Sequence, residues 1–111
     1  VEAELALKYM PNELSPLNNY ANLLVDLERF EEAETYFARA IESNPEHPKP
    51  YYNLACLHSL RGHTEEALVN LKEAFERSDL LRREAIDDAD LAPLRNNAEF
   101  QALVVRKPPK K

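Results

Sequence analysis

Three histidines, one cysteine and a short run of aspartates are the residues of this chain best suited to chemistry. Their spacing points to no reaction. His47, His58 and His63 share no i, i+4 face with one another or with Cys56, so no helix presents a His/Cys metal-ligand pair. A single cysteine forms neither an internal disulfide nor a multi-cysteine metal site. Only His58 is near enough in sequence to lower the Cys56 pKa, and helical spacing points it elsewhere. Asp87-Asp88-Ala89-Asp90 lacks the ligand spacing of a calcium loop and is read as a helix cap. There is no nucleophile–base arrangement, phosphate-binding loop or paired catalytic carboxylate. No catalytic residue, metal or cofactor is therefore expected. What remains is a set of neutral polar side chains, led by Asn19 and Asn53, which stand 34 residues apart. Each amide offers a donor and an acceptor together.

The same separation runs through the elements that position them. Pro11 and Pro16 recur as Pro45 and Pro50, and Ala21 as Ala55. Leu17 falls on Tyr51, Tyr20 on Leu54, Leu23 on Leu57, Ala33 on Ala67, Phe37 on Leu71, Ala40 on Ala74 and Ile41 on Phe75. Large apolar falls on large apolar, and alanine on alanine. Each unit predicts two helices. In the first, Ser15 is placed to cap and Pro16 stands at a first helical position. Leu17, Tyr20, Ala21, Leu24 and Leu27 then recur at three- and four-residue steps. A turn falls at Glu28-Arg29. Phe30, Ala33, Phe37, Ala40 and Ile41 make the second stripe, which Pro45 stops. In the second unit Pro48 or Pro50 starts the first helix, and Gly62, the one glycine, turns the chain. Thr64 opens the next helix, with Glu65 and Glu66 favourable to its dipole. The alanines mark where paired helices approach most closely, and a single pair cannot bury its stripe, so pairs must stack.

Composition agrees. In 111 residues, 44% apolar and 31% charged with one glycine, a single globular helical domain is expected and an all-β fold is not. The net charge of −6 argues against a nucleic-acid partner. No apolar run approaches the ~18–20 residues of a membrane span. The acidic run "ERFEEAE", Glu28 to Glu34, is read as the solvated side of a helix. Residues 106–111 are expected to be a disordered basic tail.

These residues carry a resemblance. Leu17 through Pro45, "LNNYA…F..A…F..A….P", resembles the tetratricopeptide repeat, and Tyr51 through Ala74, "YYNLA…G….A…L..A", looks like the same motif. The resemblance implies an all-α fold, a right-handed superhelical stack of antiparallel helix pairs. Residues 1–13 are expected to be the second helix of a truncated preceding repeat, with repeats at 14–47 and 48–79 and capping helices at 80–105. The array is expected to continue upstream of Val1, in a longer parent chain. "DADLAPLRNNAEFQAL" resembles the closing segment of many bacterial repeat proteins, typically "DPDLAPLRDDPxF". Leu91, Leu94, Phe100 and Leu103 would cover the last repeat's exposed stripe.

The resemblance also implies a concave face lined by the first helix of each pair. Its inward residues are Ser15, Asn18, Asn19, Asn22 and Asp26, then Lys49, Tyr52, Asn53 and Cys56. Ser15, Asn19, Asn22, Lys49, Tyr52 and Asn53 are the candidate partner-binding set, because an asparagine ladder can grip an extended peptide backbone. Some relatives clamp a C-terminal carboxylate with lysine, asparagine and arginine. Asn22 and Asn53 match two clamp positions, but Asn18 stands where a lysine is expected. The expectation is a non-enzymatic scaffold that binds a protein or peptide, cytoplasmic unless an export signal was removed, and a monomer or weak homodimer. The alternative is a substrate-recruiting or self-assembly module of a larger, possibly enzymatic, protein.

Overall fold

A computed structural model describes residues 14–105, with side chains from Pro16 onward. Among these residues the structure is helical throughout, without strands. The first hairpin comprises α1 (Leu14–Asp26) and α2 (Phe30–Ser43); the second comprises α3 (Pro48–Leu60) and α4 (Thr64–Arg77). Three short elements follow: α5 (Leu81–Asp87), a 3-10 helix (Ala89–Leu94) and α6 (Ala98–Val104). The residues expected to form a preceding helix and a basic tail lie outside the described residues.

Both hairpins turn in the same way. Glu28, at φ 62°, and Gly62, at φ 78°, stand 34 residues apart in the left-handed region. The Arg29 N–H donates to the Leu24 carbonyl at 2.8 Å, and His63 N–H donates to the His58 carbonyl at 2.8 Å. These bonds satisfy helix-end carbonyls that would otherwise be orphaned. α3 has a different start. His47 Nδ1 accepts from the Lys49 N–H at 3.2 Å, and Pro48 occupies the first helical position, where no donor is required.

The alanines pack as the helix-pair pattern requires. Ala21, Ala33, Ala40, Ala55, Ala67 and Ala74 are all completely buried. Two hydrophobic clusters result. One joins Leu17, Tyr20, Leu24 and Phe37 of the first hairpin to Leu54 and Leu57 of α3. The other joins Tyr51, Tyr52 and Cys56 of α3 and Leu71 and Phe75 of α4 to Leu81, Leu91, Leu94 and Phe100 of the closing elements. α3 thus feeds both clusters and is buried on nearly every side, whereas a surface helix buries one stripe. The Pro45 carbonyl ties the hairpins together, accepting from the Tyr51 hydroxyl at 2.9 Å and Arg77 Nε at 2.7 Å. Where the next proline of the period would stand there is Asp79. It pairs with Arg82, whose Nε donates to the Leu103 carbonyl at 2.8 Å and whose guanidinium lies over Phe75. That contact fastens α6 to the last hairpin.

Candidate functional site

The 34-residue period makes the two hairpins controls for each other. On α3, Tyr52, Cys56 and Ser59 form one stripe; their equivalents on α1 are Asn18, Asn22 and Val25. The two stripes have different surroundings. The α3 stripe lies beneath the segment that opens the 3-10 helix. Asp88 enters in an extended conformation, and its Oδ2 accepts from the Tyr52 hydroxyl at 2.7 Å. Its Oδ1 caps the 3-10 helix by accepting from the Asp90 N–H at 2.9 Å. The Ser59 hydroxyl donates to the Asp90 backbone carbonyl at 2.7 Å. Leu91 and Leu94 complete the closure, both buried.

On α1 the equivalent stripe is more open. Asn22 and Asp26 are exposed, and Asn18 is partly buried. The partner of Asn18 comes from α3: Asn53 Nδ2 donates to Asn18 Oδ1 at 3.1 Å. The two asparagines at the 34-residue separation, Asn19 and Asn53, therefore have different settings. Asn53 bridges the hairpins, while Asn19 is exposed. Lys49 is exposed at the start of α3, and Tyr52 is buried at the seam with the closing segment. Ser15 lies in α1, with its side chain outside the described residues.

Asp88 was read from sequence as part of a helix cap, and it is one; its second role was not legible. The bond from Tyr52 to Asp88 spans 36 positions and follows no period. Burial, with the hydrogen bond to Asp88 and its negative charge, raises the Tyr52 pKa far above that of a free phenol. Burial and the Asp88 and Asp90 carboxylates likewise raise the Cys56 pKa. Burial raises that of Asp90, helped by Asp88 and by Asp26 across from it on α1. Asp26 therefore acts on the same region as the closing segment. The potential metal ligands Cys56 Sγ and the Asp88 and Asp90 carboxylates lie within 4.8 Å of one another. A metal would require a thiolate there, the form this setting disfavours.

The surroundings of His58 were also hidden in the sequence. Its ring is buried in the last turn of α3, 3.8 Å from Glu34 on α2 and 5.7 Å, centroid to centroid, from His63. Burial lowers its pKa, against the opposing pull of Glu34 and Glu66.

Stacked helical hairpins at a 34-residue period, with small residues at the close approaches, define a helical-repeat protein. A family model for the tetratricopeptide repeat matches residues 12–79, well over half of the sequence, and the chain belongs to that family. No curated protein matches it significantly. Repeats of this family generally mediate protein–protein interactions and are typically non-catalytic. Among the described residues, no helix is long and apolar enough to cross a membrane.

Proposed function

We propose that the chain is a non-enzymatic binding module whose inner face holds an extended stretch of a partner protein, with α1 as the open part of that face. The observation that supports this most is the unequal occupancy of the repeated stripe. On α3 the stripe already holds a non-repeat segment of the chain, through hydroxyl bonds to an extended aspartate and to a backbone carbonyl. On α1 two of the three equivalent positions carry amides able to donate and accept, Asn18 half-exposed and bonded to Asn53, and Asn22 exposed, while the third is Val25. Asn19, Asn22, Lys49 and the outer side of Asn53 are the contact residues. The face is weakly suited to a C-terminal carboxylate, because Asn18 stands where a clamp lysine would and the carboxylate of Asp26 is exposed on the same helix. The acidic balance favours protein over nucleic acid.

The test is capture of partners by the immobilised chain, repeated with Asn19→Ala/Asn22→Ala and with Lys49→Ala. Loss of a captured species in these surface variants, with unchanged melting temperature, supports the assignment. Identical capture by all three chains contradicts it.

A second reading, assembly through the other side of α1, rests on its own comparison. Leu57 is 0% exposed beneath the first hairpin, while its equivalent Leu23 is 43% exposed and Leu27, one turn further, is 56% exposed. That face has the composition of a packing surface. Light scattering at rising concentration separates the readings: a dimer abolished by Leu23→Asp favours assembly, and a monomer throughout favours the peptide-binding module alone.

A further inference from the structure

We infer that residues 106–111 dock back into the groove between α4 and α6, as an intramolecular ligand of the closed end of the stack. The period breaks on α4. Leu68 and Val69 are the equivalents of Glu34 and Thr35 on α2. That side of α2 is polar, and the same side of α4 is apolar. Leu68 is 5% exposed and joins the cluster that the closing elements cover. Val69, at 61%, is left open beside it. A valine exposed by itself is ordinary, but one at the edge of an apolar groove calls for a cover.

The groove has a volume of about 720 Å³, in the range of ligand clefts. Leu68, Val69 and Phe75 of α4 and Leu103 of α6 form its apolar wall. Its rim is acidic. Glu65, Glu76 and Glu99 line it, and among the described residues none of these carboxylates is held in an ion pair. Of its two cations, Arg82 is paired with Asp79, which leaves Lys72. The groove suits a ligand with apolar bulk and positive charge.

The chain carries such a segment at the edge of the groove. α6 ends at Val104, and Val105 follows in an extended conformation, exposed, two residues after Leu103 of the wall. Arg82 Nε fixes that exit by donating to the Leu103 carbonyl at 2.8 Å. Next in the sequence come Arg106, Lys107, Pro108, Pro109, Lys110 and Lys111, two pairs of cations around two prolines. The prolines oppose continuation of α6 and favour an extended chain. Six extended residues reach about 20 Å, and the stretch of α4 from Glu65 to Glu76 is about 16 Å long. The proline rings supply apolar bulk to set against Val69, and the basic side chains supply charge for the three carboxylates. Exposed ion pairs contribute little singly. A tethered segment, however, acts at an effective concentration in the millimolar range, so weak contacts suffice. Docked in this way, the segment covers the apolar edge of the closed end and withholds its own cations from anionic surfaces.

The test is NMR of the isotopically labelled full chain. At low salt, ring protons of Pro108 or Pro109 are expected to show NOEs to the Val69 methyl groups. The Lys107 and Lys110 amides are expected to have order parameters above about 0.6, the flexible limit. Val69→Lys, at an exposed position, and Lys110→Glu/Lys111→Glu are each expected to bring those order parameters below that limit. Raising salt from about 0.01 M to about 1 M, which cuts the Debye length from about 30 Å to about 3 Å, is expected to do the same. Order parameters below about 0.6 in the unaltered chain at low salt overturn the proposal. So does order that survives both variants. NOEs found only between differently labelled molecules also overturn it, because they assign the groove to a second copy.

Discussion

Asp88 is the residue on which the closing segment turns. One carboxylate caps the 3-10 helix, accepts from Tyr52 and lies 3.9 Å from the Cys56 sulfur. Tyr52→Phe removes a charge-assisted bond from a buried phenol and is expected to cost about 1–3 kcal/mol, measured by denaturant unfolding. Stability unchanged within error would mean that the bond contributes nothing net. The raised Cys56 pKa gives a second expectation at this scale. At pH 8 the folded chain holds almost no thiolate, so a disulfide reagent is expected to label it far more slowly than the denatured chain. Equal rates would contradict the burial assigned to this thiol. The sequence made the types of these residues plain and their partners obscure. A period of 34 identifies equivalent positions, whereas contact partners are whatever the stacking brings together. Asn53 is the equivalent of Asn19, yet it bonds Asn18. In the same way, i, i+4 reasoning treats His58 and His63 as unrelated, because it describes one helix and not a chain that reverses between two.

At the scale of the element, the two hairpins make paired predictions. Glu28 and Gly62 occupy the same left-handed position, which costs a residue with a Cβ roughly 1 kcal/mol or more. Glu28→Gly is therefore expected to stabilise by up to about 1 kcal/mol, and Gly62→Ala to destabilise by about as much. A Cβ at Gly62 meets no atom within 4 Å, so the cost there is backbone conformation and not a clash. Thermal unfolding of the two variants checks both signs, and matching signs would refute the shared turn. Ala67 tests the helix pairing. It is completely buried between α3 and α4, and Ala67→Leu is expected to cost about 1–3 kcal/mol by overpacking. The helices and their turns were legible because prolines, the glycine and the alanine spacing are local signals. The start of α1 was less so: Leu14 and Ser15 are both within the helix, so Ser15 is not the cap expected of it.

At the scale of the molecule, the stack is closed at one end by α5, the 3-10 helix and α6. These contribute Leu81, Ala85, Leu91, Leu94 and Phe100 to the cluster that covers Tyr52, Leu71 and Phe75. The family and its all-helical stack were readable from the period. The closing segment has no period, so its apolar residues suggested a cover without showing that Asp88 and Asp90 would reach the inner stripe of α3. That reach divides the inner face into a filled half and an open half, and the functional claim rests on the open half. The most direct test is NMR mapping on the isotopically labelled chain, titrated with an unstructured peptide drawn from a captured partner. The account predicts saturable shifts at Asn18, Asn19, Asn22, Asp26 and Lys49, with Tyr52, Cys56 and Ser59 little affected. Shifts confined to the groove that Glu65, Lys72 and Glu76 of α4 line with Glu99 and Ala102 of α6, or none at a concentration where the partner is captured, would contradict it.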